Sequence, residues 1–501
     1  MHTERSIRNE PLPRRTAITF VVSVVFFLLA VGAAFAADPT DTTFGSDGIA
    51  KIEARIPATG QVGGIADLEP AAGGKMLAAV YPIARGGHYF AAARILPGGR
   101  LDRSFGQDGF TPRFHFGSES EVAGGGVLQA EAVADQQDGS VLLAGYREVR
   151  AAFAPALARF TSRGRLDPSF GQGGRITPRP TYEGSRVVEG GERLHDVAVE
   201  PDGTIVAVGD IIAEPYRGAG RGPERPAALV IGYRPDGRID RNFGHHGRLR
   251  ISVPRGGAYT GFTEVKALPS GKLLVSGYLR QRLVLYRLTA DGRVDRSFGR
   301  GGRGGRVTVG GPSDSPTITR GGYLRAPFAV DARGGIVLCG LLYPDGGRFE
   351  EPVALLRLFP SGRRDRSFGR SRYMEPAPTD GQVSHPRRRG VQGFNFEPQG
   401  VAIDGRGRPV VVGIELAPYT RGQGESGYRY FAARRFLPDG RRDRSFGHGG
   451  VWDTNPPGSQ SMARAGLTQP DGQVVAGGWV QIDRGGGNGP GNTAMLLTRY
   501  R

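Results

Sequence analysis

Near one end of the chain the sequence reads PDGRRDRSFGHGG, residues 438–450. Asp443, Ser445 and His448 stand among four glycines. That mixture suits a loop holding a phosphate, a metal or a nucleophile. Comparison within the chain reads it differently. An Asp followed three residues later by Phe and then Gly also begins at Asp41, Asp102, Asp167, Asp240, Asp295 and Asp365. The slot after that Gly holds His448 and His245, but elsewhere Ser46, Gln107, Gln172, Arg300 and Arg370. A slot open to any polar side chain is solvated surface. The recurring residues are Asp102, Phe105 and Gly106, then Asp167, Phe170 and Gly171, and Asp240, Phe243 and Gly244. Asp295, Phe298 and Gly299, Asp365, Phe368 and Gly369, and Asp443, Phe446 and Gly447 complete the later copies. The first copy is Asp41, Phe44 and Gly45.

Each copy carries the same flanking parts. A short apolar run follows the motif, as in 247–253. Two further runs then surround a Pro-Asp-Gly or related turn, as in 196–209, 264–277 and 465–478. Pro presets φ, Asp bonds its own backbone and Gly supplies positive φ, so these turns predict hairpins. A fourth run, such as 282–289 or 430–437, precedes the next motif and carries an Arg: Arg94, Arg159, Arg287, Arg357, Arg435 or Arg499. Gly232 stands in that place once. Short apolar runs bounded by turns favour strands over helices. The fold is therefore expected to be all-β, with four strands per unit.

The order of parts at the two ends predicts closure. After residue 36 the chain opens on a motif with no strand before it, and it finishes on a fourth strand with no motif after it. Joined, the ends complete a seventh unit. A ring of seven four-stranded units is a seven-bladed β-propeller, which leaves only short edge strands. An open solenoid would instead want polar caps at its ends. The repeating unit resembles the delta-60 repeat family of bacterial exported and surface proteins, over nearly all of residues 37–501. The resemblance implies a propeller-like repeat architecture, with no catalytic residues and no defined substrate. Gly232 departs from the pattern, as do Thr43 and Asn242 where other copies have Ser.

Residues 1–36 read as a separate segment. Arg5, Arg8, Arg14 and Arg15 precede an apolar run over 17–36 that ends in Ala34-Phe35-Ala36. This is the pattern of a secretory signal peptide, and its length also suits an uncleaved anchor. Export to the periplasm, the cell surface or the medium is expected either way. The formal charge is +18, carried almost wholly by arginine. For an exported chain this suggests an envelope protein, a glycan or an anionic surface as partner. No specific nucleic acid is expected, and membrane contact is expected only through an uncleaved N-terminal segment. Cys339 is the one cysteine, so no intrachain disulfide or zinc cluster is expected.

The motif has a structural reading: Asp and Ser fix a turn, Phe plugs between units, and Gly clears a path. A calcium loop needs six to eight oxygens, and each copy offers one dependable carboxylate. No triad, metal site or cofactor site can be assembled, and none is expected. Insertions cluster in one set of connections: 117–128, 177–194, 211–227, 312–326, 377–397, 415–428 and 481–492. In an up-and-down unit these lie on one face, and the turns and motifs lie on the other. Variable loops on a rigid scaffold are where binding groups usually sit. Tyr81, Tyr146, Tyr278 and Trp479 stand at equivalent positions beside those loops, and Arg387 and Arg388 lie in an insertion. These six are the candidate ligand-binding residues, with packing beneath the loops as the competing reading of the aromatics. The function expected is non-enzymatic binding of a protein or glycan at the long-loop face. The alternatives are a polysaccharide hydrolase or lyase acting in the central channel, and a purely structural surface protein.

Overall fold

The structure, a computed structural model, describes residues 39–501 apart from 54, 57–59, 83–90, 113–115, 117–127, 150–151, 178–180, 184–185, 190, 212–225, 254–259, 281, 300–303, 310–324, 342–352, 370–381, 384–394, 417–428, 455–459 and 483–492. Residues 1–36, read above as a signal segment, and Arg387 and Arg388 lie outside the described residues. What is described is a seven-bladed propeller of four-stranded antiparallel sheets, with one small extra hairpin of Thr181–Glu183 and Arg186–Glu189. The blades are numbered I to VII by their first strands: Gly60–Pro70, Leu128–Asp135, Glu192–Val199, Gly261–Ala267, Phe328–Val330, Asn395–Ile403 and Ser461–Thr468. These strands touch one another from blade to blade, so each is the innermost of its sheet. Blade IV is representative, continuing through Leu273–Leu279, Arg282–Leu288 and the outermost Arg306–Val309.

The ring closes as the ends of the sequence predict. Ile49–Ile52 pairs antiparallel with Thr493–Tyr500, with Ile49 opposite Thr498 and Ile52 opposite Met495. The first described strand thus becomes the outermost strand of blade VII. One expectation is corrected. Counting strands from the motif makes the motif a junction between blades, whereas in the structure it links the third strand to the outermost strand of the same blade. The blade-to-blade crossings are the connections that follow the outermost strands. Both loops of the constant face keep their predicted side, and only the phase of the repeat shifts. Blade I is irregular. Its outer strand shrinks to a bridge between Ala93 and Phe110, and an extra strand, Arg55–Ile56, pairs with the start of its innermost strand.

Among the described residues the core is divided between the blades. Seven apolar clusters each lie between two adjacent blades, from Ile65, Met76, Val475 and Leu497 between VII and I to Val412, Phe446, Ala476 and Tyr500 between VI and VII. This explains why the middle strands read as continuous apolar runs instead of alternating ones. Each blade buries both faces, and Ile205–Ile211 and Ala227–Tyr233 are buried at every position.

Candidate functional site

Three regions hold the polar chemistry of the propeller: the motif, the ring axis and the long-loop end. At the motif, Asp102 accepts from both the Ser104 amide, at 3.2 Å, and its hydroxyl, at 2.6 Å. The Ser hydroxyl therefore donates to the Asp carboxylate. Arg94 from the third strand donates to Asp102 at 2.9 Å and reaches the Ser162 carbonyl of the next blade at 2.8 Å. Its guanidinium also lies over the Phe105 ring, 4.4 Å from the centroid. Arg159, Arg287 and Arg435 repeat the Asp contact and the ring contact, and Arg159 and Arg287 likewise reach the next blade, at Pro235 and Pro360. Burial alone would raise the Asp102 carboxyl, but Lys75, Ser104 and Arg94 outweigh it and hold it well below the usual range.

The seven motif Phe rings are at most 1% exposed, and six press on a turn glycine of the following blade, as Phe105 does on Gly164 and Phe170 on Gly237. The Gly after each Phe is equally constrained. Gly106 has φ +56°, a Cβ there would lie 1.9 Å from the Phe110 carbonyl oxygen, and its amide donates to Arg163 of the next blade. The motif is a staple between blades. His245 and His448 are exposed beside it.

The ring axis holds acids that the repeat pattern does not announce. Four residues before the inner turn stand Asp67 in blade I, Asp196 in blade III and Glu264 in blade IV. Each accepts from the amide of the next blade's innermost strand, Val133 at 3.0 Å, Val265 at 2.7 Å and Phe328 at 3.1 Å. The innermost strand is an edge, and these carboxylates satisfy the amides it turns toward the axis. Burial raises Glu69 to about 7, with Asp67 and Glu264 adding to it and Lys266 opposing. Burial also raises Asp196 and Glu264, and Asp67 and Glu264 push Asp196 up further. Lys266 lies 3.3 Å from Glu264. Deeper in, Arg325 of blade V crosses to the opposite side of the ring, 3.5 Å from Glu131 of blade II and 3.4 Å from the Ala66 carbonyl of blade I. The carboxyl cluster that a channel enzyme would need is present, but three of its members are engaged by backbone and a strut spans the passage. The Glu69 side chain makes no hydrogen bond among the described residues, and its raised pKa keeps the proton that a general acid needs. Among the described residues no group of three or more His, Cys, Asp or Glu side chains is arranged for a metal ion.

At the long-loop end the candidate aromatics separate. Tyr278 is fully buried and donates to the Arg325 carbonyl at 3.1 Å. Tyr146 is buried, bonds Gln129 at 3.0 Å and stacks edge-on against Phe153. Both rings pack within the fold, so as surface groups they are withdrawn. Tyr81 and Trp479 remain partly exposed, on adjacent blades I and VII. They flank Gly64, where a Cβ would sit 2.6 Å from Trp479 Cβ and 2.9 Å from the Tyr81 hydroxyl. A further group, missed in the sequence, lies in blade III. Arg193 grips Asp210 through Nε at 3.0 Å and Nη2 at 2.6 Å, and His195 Nε2 lies 3.4 Å from the same carboxylate. Burial works against the Asp210 charge, but His195 and Arg193 hold its carboxyl at about 2. The Cys339 thiol is buried and pushed up to about 12 by that burial, which leaves it unreactive.

The model of a family described as "Domain of unknown function (DUF5122) beta-propeller" matches residues 136–170 and 268–298. Each match runs from the inner turn of a blade to its motif Phe. The chain is a β-propeller repeat protein. No curated protein sequence matches it. Among solved structures it is similar to a protein of unknown function from Dyadobacter fermentans DSM 18053, with 10% identity, a TM-score of 0.40, and coverage of 91% of this chain and 100% of that one. It is similar to the polysaccharide lyase Uly1, with 10% identity, a TM-score of 0.39, and coverage of 91% and 93%. It is also similar to an α-L-arabinofuranosidase from Fusarium graminearum, with 12% identity, a TM-score of 0.36, and coverage of 74% and 92%. At these identities and scores the likeness is one of fold, and carries no activity across.

Proposed function

We propose that this propeller is a non-catalytic, exported scaffold that binds a glycan at its long-loop end, where Trp479 and Tyr81 meet across the seam of blades VII and I. The observation that carries the reading is the sorting of the four equivalent aromatics: two are buried and hydrogen-bonded, and the two left at the surface are neighbours. Paired aromatic faces with polar edges suit the apolar face of a sugar ring. Export rests on the pattern of residues 1–36, and the resemblance to delta-60 repeats of surface proteins agrees with it. Titration of intrinsic tryptophan fluorescence with envelope polysaccharide fractions tests the reading. The emission is expected to shift on binding and the shift to vanish in W479A. If no fraction perturbs the emission and Y81A/W479A retains every interaction of the parent chain, this end is the wrong surface.

A second reading keeps the enzyme, on the strength of Glu69. Burial holds the Glu69 carboxyl up at about 7 with the Asp67 carboxyl close by, and two neighbouring carboxyl groups are what glycosidic cleavage uses. An activity found on envelope polysaccharides and abolished by E69Q would replace the binding reading.

A further inference from the structure

The constant face carries arginines that the fold does not use. The residue after the motif Asp is Arg103, Arg241, Arg296, Arg366 and Arg444 in five blades, all exposed and all without a side-chain partner among the described residues. Thr42 and Pro168 fill the slot in the other two blades, so the turn itself does not require a cation there. The contrast with the staple arginines is sharp: Arg94, Arg159, Arg287, Arg435 and Arg499 are each paired with a motif Asp. Arg100 and Arg165 add exposed charge on the same outer connections. The acids of those connections are in part spent locally, as Asp291 is on Arg293 at 3.2 Å and Asp439 on Arg441 at 2.6 Å. The result is a ring of unpaired guanidiniums repeated blade by blade, all on one side of the propeller.

The chain also enters by this side. Thr40 bridges Tyr500 and Asp41 opens the first motif, so residue 39 stands at the constant face. The apolar run ends at Ala36. Four residues, 37–40, separate it from Asp41, so the five steps from Ala36 to Asp41 span at most about 18 Å of extended chain at 3.3–3.6 Å per residue. We propose that the constant face docks on an anionic lipid bilayer, the arginine ring meeting headgroup phosphates and the long-loop end pointing away. A plane of cations complements a plane of anions better than it follows a linear polymer, and a membrane segment tethered at this face would present it in that orientation.

The test uses the chain from Ala37, which keeps every strand of the ring, sedimented with phosphatidylcholine vesicles with and without phosphatidylglycerol. Binding is expected only with phosphatidylglycerol, and salt should reverse it. The variant R103Q/R241Q/R296Q/R366Q/R444Q should lose partitioning on the order of a thousand-fold, at roughly five-fold per cation near a charged surface. Should that variant melt early, R103Q/R366Q is expected to lose roughly twenty-five-fold on the same scale. An environment-sensitive dye on Q172C, at the constant face, should respond to vesicles while Trp479 remains unquenched by spin-labelled lipid. Binding that ignores lipid charge, arginine variants that bind like the parent, or quenching of Trp479 would each overturn the proposal. Arginine-dependent binding to heparin or DNA without binding to vesicles would overturn it in favour of a polymer.

Discussion

The seams on either side of blade III differ most at one side chain of the third strand. Between blades II and III, Arg159 ties Asp167 and Ser169 to the Pro235 carbonyl, and Phe170 presses on Gly237. Between blades III and IV, the Arg is Gly232, and Phe243 has moved onto it, so that a Cβ at 232 would fall 2.4 Å from the ring. The ring still reaches Gly292, and Gly244 still donates to the Asp291 carbonyl at 2.7 Å. At this motif, Phe, Gly and one backbone bond bridge the two blades without a guanidinium. The first residue of the inner turn differs too. Asp331 and Gln469 meet Arg357 and Arg499, while Glu200 at the same position is buried with an unpartnered oxygen. Burial, with Asp202 adding to it, raises Glu200 to about 7.

This contrast is open to measurement by chemical denaturation. F170A and F243A should each cost about 3–5 kcal/mol, because both seams depend on the buried ring. R159M should cost about 3 kcal/mol by stranding Asp167, a cost that the seam after blade III never incurs. Restoring the pattern with G232R should not help: the space is taken by Phe243, and about 1–3 kcal/mol of overpacking is expected. The smallest effect is E200Q. Burial raises the folded-state pKa of Glu200, so its contribution is intact below about pH 4.5 and is lost as pH rises through about 7. E200Q should therefore match the parent at pH 4 and exceed it in stability at pH 8. A variant that stabilises equally at both values would disprove the burial of an unpaired carboxyl.

The seven motifs, the four strands per unit and the ring closure were legible because Asp, Phe and Gly are fixed by a contact that recurs at every seam. The phase was not legible. All four runs are short and apolar, and nothing in their composition marks which connection crosses to the next blade. The axial acids escaped because they occupy only some blades. Aligning residues four before the inner turn would have placed Asp67, Asp196 and Glu264 together. Tyr146 and Tyr81 look alike in sequence, since an aromatic at the end of an apolar run reads the same whether it ends up buried, as Tyr146 does, or partly exposed, as Tyr81 does.

The central claim is that the constant motifs hold the ring together while ligand is met at the opposite end. Calorimetric titration of envelope polysaccharide into the parent chain, W479A and S445A/H448A tests it most directly. W479A should weaken binding at least about tenfold, a loss near 1.4 kcal/mol, and S445A/H448A should leave affinity unchanged. Loss of binding in S445A/H448A with W479A unaffected would return the site to the stretch at 438–450 and contradict the account.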